Sequence, residues 1–148
     1  MISAKVEGIN DVVKGFRLTN EETQKAVKVA IDRTAYAVET DAKKKLKSDK
    51  HIITGRLFSS IHAEAKEGQS YDYIDNNGKS FNGSLEEPFD QKNEAIAGTN
   101  VVYAPFIEFG TKYFSGDSFL GHAATVQEPK LKKRVEDEIE KAIKRIWQ

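Results

Sequence analysis

Residues 19–47 read TNEETQKAVKVAIDRTAYAVETDAKKKLK, and their spacing decides the fold class. Val27, Ile31, Thr34, Val38, Ala42 and Leu46 recur three and four positions apart with Ala30 and Ala37 beside them, the stripe of one helix face. Thr19 and Glu22 form a capping box: the hydroxyl accepts from the Glu22 amide while the Glu22 carboxylate reaches back. Acidic residues load the first turn and lysines the last, matching the helix dipole. The pattern predicts a helix over 20–47. Lys43, Lys44, Lys45, Lys47 and Lys50 suit a phosphate, but a lysine run at a helix C-terminus is read first as a solvated end complementing the dipole.

On the N-terminal side, ISAKV (2–6) alternates as a strand, and INDVVKGFRL (9–18) places Ile9, Val12, Val13 and Phe16 at helical spacing. On the C-terminal side, Thr54 and Gly55 open a short helix that ends at Ser60. Ile61, Ala63 and Ala65 alternate with His62, Glu64 and Lys66, the mark of a half-buried strand. Residues 68–92 are rich in Gly, Asn, Asp and Ser, with Tyr71, Tyr73, Phe81 and Phe89 spaced through them. Asn77-Gly78 and Asn82-Gly83 are hairpin-turn dipeptides, so this segment is predicted to leave the core as an extended loop or β-hairpin arm. Residues 94–104 are predicted to be a strand interrupted at Gly98-Thr99-Asn100, with Ala104 kept extended by the proline that follows. Pro105 suits the first turn of a short helix and Gly110 its left-handed end. Pro129 is predicted to start a last helix, with Leu131, Val135, Ile139, Ala142, Ile143 and Ile146 in register and Trp147 near its end. The fold class is α+β: a small antiparallel sheet packed against a long N-terminal and a C-terminal helix, in one domain over 1–148.

Lysine plus arginine equals aspartate plus glutamate, 23 against 23, so no global field draws the molecule to nucleic acid or lipid. The absence of cysteine excludes disulfides and thiolate metal sites. Neither a signal peptide nor a membrane-length apolar run is found. Gly116-Asp117-Ser118 invites a serine-hydrolase reading with His122, but the motif lies late in the chain and no third group is nominated. His51, His62 and His122 share no metal-ligand spacing. Glu108 lies between Ile107 and Phe109 and needs a partner if buried; Arg56 or backbone amides are the candidates. No phosphate loop, dinucleotide fingerprint or paired-carboxylate motif occurs, so neither cofactor, metal nor enzymatic reaction is expected.

Three segments in order carry a resemblance: VEGI (6–9), TGRLFSSI (54–61) and YAPFIEFGT (103–111), followed by Phe119, Leu120 and Ala123 before the last helix. With these the chain resembles the neck proteins of long-tailed bacteriophages, the head–tail joining and tail-completion group often labelled minor capsid proteins. Ile53 and Ser118 stand where that family often has prolines. The resemblance implies a structural virion protein that forms a homo-oligomeric ring at the head–tail junction, assembled in the host cytoplasm. Its implied partners are the head connector or head-closure protein and the tail terminator or tail tube, with DNA passing through without sequence-specific binding and no membrane. It implies that Thr54, Gly55, Leu57, Ile61, Tyr103, Ala104, Glu108, Gly110 and Thr111 shape turns. The aromatics Tyr71, Tyr73, Phe81, Phe89, Phe106, Phe109, Tyr113, Phe114 and Phe119 are expected at subunit contacts, because ring side chains are favoured at interface cores. A tail terminator capping the tail tube is the alternative within the same biology. A nucleic-acid module using the lysines and a hydrolase using Ser118 are the alternatives outside it.

Overall fold

The small residues of EAIAGT let one strand accept neighbours on both edges and layers on both faces. The computed structural model describes residues 1–7, 20–50 and 55–146. The expectations for 9–18, Thr19, His51, Ile53, Thr54 and Trp147 fall outside these residues.

The central strand is β5 (Glu94–Thr99), flanked by β1 (Ile2–Glu7) and β2 (His62–Glu64) in the antiparallel order β1–β5–β2. Ile2 pairs with Thr99 and Glu7 with Glu94; His62 pairs with Gly98 and Glu64 with Ile96. Gly98 is required by this packing, since a Cβ there would stand 2.1 Å from the Ile2 carbonyl oxygen.

Helices α1 (Asn20–Ser48) and α4 (Phe119–Ile146) cover one face of the sheet. Cross-links run from Arg33 to Glu138 and from Gln127 to Asp41, so the two helices are antiparallel. Ala30, Ile31, Val38 and Leu46 meet Phe119, Val135 and Ile139 and the strand residues Val6, Ala63, Ala95 and Ala97 in one core. Each fully buried large side chain there is worth roughly 1.5–3 kcal/mol. Lys28 ties α1 to the sheet, donating to the carbonyls of Ala65 (3.0 Å) and Glu94 (2.8 Å). Among the described residues, two of the five lysines of the Lys43–Lys50 run are paired: Lys43 with Glu39 (3.1 Å), and Lys45 with Asp49 (2.7 Å) and Asp117 (3.0 Å).

The opposite face carries His62, Glu64 and Ile96, and all three are buried. The expected half-buried strand is thereby corrected, for a second layer covers it. That layer is the hairpin of β3 (Tyr71–Ile74) and β4 (Ser80–Gly83) with the segment that returns from it. Tyr71 packs its ring 5.5 Å from the His62 ring. The His62 Nδ1 donates to the Ser60 carbonyl (2.8 Å), Nε2 meets Glu64 Oε2 (2.8 Å), and the Leu85 amide donates to the same carboxylate (2.6 Å). The expected arm is thus a hairpin whose root is part of the fold. Asn77-Gly78 forms its turn, with Gly78 at φ 80°. Asn82-Gly83 is not a second turn: both residues pair within β4, opposite Asp72 and Tyr71.

Two further expectations are corrected. β5 ends at Thr99, whose hydroxyl accepts from the Val101 amide (3.1 Å), and Ala104 opens α3 (Ala104–Phe109) instead of staying extended. Pro105 at the start of that helix forgoes no intrahelical bond. The last helix begins at Phe119, not Pro129, which lies inside it. The buried stripe Phe119, Leu120, Ala123, Gln127, Leu131, Val135 runs through the proline without a break, and contact with α1 outweighs its lost hydrogen bond.

Candidate interaction surface

The segment from Val101 to Ser118 hangs between β5 and α4. Val101, Ala104 and Glu108 are buried at helical spacing and fix α3 to the body. Glu108 is the anchor. Its carboxylate accepts from the amides of Leu120 (2.9 Å) and Gly121 (2.9 Å) and from the Ser118 hydroxyl (2.9 Å). These amides belong to the first turn of α4, where donors lack intrahelical partners and the dipole favours an anion. Glu108 therefore caps a neighbouring helix. Backbone amides are its partners, as one reading of the sequence had it, and Arg56 is not among these three. The Arg56 guanidinium lies 4.1 Å over the Phe81 ring and 6.0 Å from that of Tyr103.

Beyond α3 the chain turns back tightly. Gly110 has φ 90° and a Cβ there would stand 2.4 Å from the Phe114 carbonyl oxygen. Thr111 and Phe114 form a bridge, the Thr111 amide donating to Phe114 at 2.7 Å and the Thr111 hydroxyl accepting from the Tyr113 amide at 3.2 Å. The Asp117 amide then donates to the Ile107 carbonyl at 2.7 Å, closing the loop onto α3.

This frame displays apolar side chains to solvent. Val102 is 82% exposed, Phe106 58%, Phe109 72% and Tyr113 90%, with Tyr103 and Phe114 beside them. Phe106, Phe109, Tyr113 and Phe114, expected at subunit contacts, are all on this surface. Val102, the second most exposed of these side chains, was not among the residues expected here; its only signal was position, in the run NVVYAPF.

The other contact expectations divide. Phe119 is fully buried in the core and Tyr71 is buried against His62, so neither is a contact residue. Both were chosen as aromatics, but each sits where a layer of the chain itself needs a large ring. Tyr73 and Phe81 are half-buried and stack on each other, centroids 6.3 Å apart, so they serve the hairpin and its Arg56 contact. Phe89 is half-buried in the returning segment. Of the turn residues, Gly55 caps α2 (Arg56–Ser60) at φ 80°, and Leu57 and Ile61 are buried anchors.

The Ser118 hydroxyl donates its hydrogen bond to a carboxylate already engaged with two amides. His122 lines a separate cleft with Asp41, Lys44, Lys45, Ser48 and Val126. Beside that cleft, the hydrogen bond from Lys45 holds the Asp49 carboxyl below its usual range, and the Asp49 and Asp117 carboxylates raise Lys45. Among the described residues no cluster of His, Asp and Glu is placed to hold a metal ion, and no helix is long and apolar enough to cross a membrane. Comparison of the chain with protein-family models, with curated proteins and with solved structures finds no match.

Proposed function

We propose that this chain is a structural protein of the neck of a long-tailed bacteriophage, building a ring between the head connector and the tail that leaves a channel for DNA. The observation that carries the reading is the belt of Val102, Phe106, Phe109 and Tyr113 on a rigid support. Four large apolar side chains exposed within residues 102–113 are the kind of surface that marks a meeting with another molecule. Every joint of the support is fixed, by the Glu108 cap, the Thr111–Phe114 bridge and the Asp117–Ile107 hydrogen bond. A preorganised aromatic surface loses little entropy on binding.

The belt's occupant is the neighbouring copy in the ring. A ring of more than two copies repeats one head-to-tail contact, so in this reading the belt meets a different face of the next subunit. The implied partners above and below the ring, the connector and the tail terminator or tube, follow from the same reading.

The test is a double substitution, Phe106→Asp with Phe109→Asp. Both side chains point outward, so the circular dichroism and unfolding midpoint of the isolated chain stay within a few degrees of wild type. Electron microscopy of particles made with this variant shows filled heads and separate tails. Normal joined particles would remove the belt from the account, and wild-type protein located at the tail tip or on the capsid faces would remove the neck.

A further inference from the structure

Among the described residues the sheet has a guarded edge and an open one. On β2 the outward amide of Ala63 donates to the Glu39 carboxylate (3.0 Å), and those of Ala65 and Lys66 donate to Gln69. Side chains thus occupy the donors that a further strand would need.

That detail fixes the hydrogen-bonding phase of the whole sheet. Because Ala63 points its amide away from β5, the pair Ala63–Ala97 is not hydrogen-bonded, and Ala97 directs its backbone groups to β1. Ala97 pairs with Ala4, so Ile2, Ala4 and Val6 bond inward while Ser3, Lys5 and Glu7 point theirs outward. The close approach of Gly98 to Ser3, where a Cβ would stand 2.8 Å from Ser3 Cα, agrees with this phase. Among the described residues no group bonds the outward amides and carbonyls of Ser3 and Lys5.

A lysine in mid-strand often guards an open edge. Lys5 does not stand free to do so. Its ammonium donates to the Pro88 carbonyl (3.3 Å) and pairs with Glu87 (3.8 Å) and Glu94 (3.7 Å) on the face away from the helices.

We propose that the outer edge of β1 pairs with the same edge of a second copy of this chain, antiparallel and centred on Ala4. The phase admits only registers that set odd-numbered residues opposite one another. Centring on Ala4 sets Ser3 against Lys5 twice, each a hydrogen-bonded pair, and sets Ile2 against Val6 twice. Centring on Lys5 would oppose two like charges, and centring on Ser3 would leave Val6 without a partner. In the chosen register the small Ala4 residues meet at the close, non-bonded position. Ile2 and Val6 extend the apolar face that already meets the helices. The product is a continuous six-stranded sheet with both helix pairs on one side. This contact is twofold and uses backbone atoms of β1, so it is separate from the aromatic belt and from the neck reading.

The experiment is sedimentation and native mass measurement of the full chain across concentration, with hydrogen exchange at the Ser3 and Lys5 amides. The wild type moves toward twice the chain mass as concentration rises, and those two amides slow together. Lys5→Pro deletes an outward donor and leaves the inward ladder intact, while Lys5→Ala loses the same side-chain pairs to Pro88, Glu87 and Glu94 but keeps the donor, so the pair's dissociation constant rises at least tenfold in Lys5→Pro relative to Lys5→Ala. Phe109→Asp leaves the pair as it is. The proposal is overturned by a single-chain mass up to about 1 mM. It is also overturned by a dimer whose Ser3 and Lys5 amides stay fast, which needs no variant to fold, or by one that Phe109→Asp abolishes.

Discussion

Replacing Glu108 with glutamine keeps the size of the side chain and removes its charge. One amide oxygen remains as an acceptor, but an NH2 group then faces a donor. Of the three bonds at 2.9 Å, at least one backbone amide of the first turn of α4 loses its partner inside a buried site. An unsatisfied buried donor costs about 1–3 kcal/mol. Loss of a partly buried anion at a helix N-terminus costs about 1 kcal/mol more. The sum, about 2–4 kcal/mol, is a large part of the total stability of a chain this size. Chemical denaturation measures it: the midpoint falls and the slope stays constant, since the same surface is exposed on unfolding. Because α3 hangs from this cap, exchange of the Phe109 and Gly110 amides speeds up more than that of β5. A loss under about 0.5 kcal/mol, or equal acceleration in β5, would refute the claim that Glu108 holds the belt in place.

Two other outcomes follow from particular atoms. Alanine for Gly121, inside α4, ordinarily gains about 1 kcal/mol of helix propensity. Here a Cβ would stand 2.6 Å from Ser118 Oγ and 2.9 Å from Glu108 Oε1, so Gly121→Ala lowers the thermal midpoint, and a raised midpoint would contradict the cap geometry. The Asp90 carboxyl is held below its usual range first by the Lys92 amide and then by the Asn93 side chain. A folded pKa below the unfolded one gives stability that is present above the unfolded carboxylate range and lost as pH falls through the folded value. Denaturation midpoints therefore fall on acidification below about pH 4, and Asp90→Asn makes that fall shallower; identical acid limbs would remove Asp90 from the linkage.

Legibility in the sequence followed the physics of each element. The α1 stripe was plain because burial on one face demands apolar residues three and four apart, and Ile31, Thr34, Val38, Ala42 and Leu46 are all buried. The ends of α3 were partly plain: Pro105 sits in its first turn as expected, and Gly110 ends it with positive φ, but at φ 90° and ψ 179° instead of in the left-handed helical conformation expected. What misled was local reading of non-local facts. His62 and Glu64 look like solvent residues on an alternating strand, and only the return of Tyr71 and Leu85 from later in the chain buries them. Pro129 looks like a helix start, and only contact with α1 shows that the helix has already run from Phe119. The belt was half legible: its aromatic content was visible, but which rings turn inward depends on Phe119 lying beyond the Glu108 cap.

That cap also explains why the belt and the core can alternate so closely along the chain. Phe109 and Phe119 are ten residues apart, one largely exposed and the other fully buried. Between them the chain makes two glycine reversals, at Gly110 and Gly116, whose backbones touch: a Cβ on Gly116 would stand 2.7 Å from the Gly110 nitrogen. The reversals bring Asp117 back onto Ile107 and deliver Ser118 and Leu120 to the Glu108 carboxylate. The bonds that start α4 are therefore the same bonds that orient α3, and the long helix pair is the rigid body to which the belt is referenced. A contact that seizes Phe106, Phe109 or Tyr113 pulls directly on the N-terminus of α4, whose buried stripe runs from Phe119 to Ala142. In the neck role proposed above, a part carrying force between two larger bodies would use that coupling.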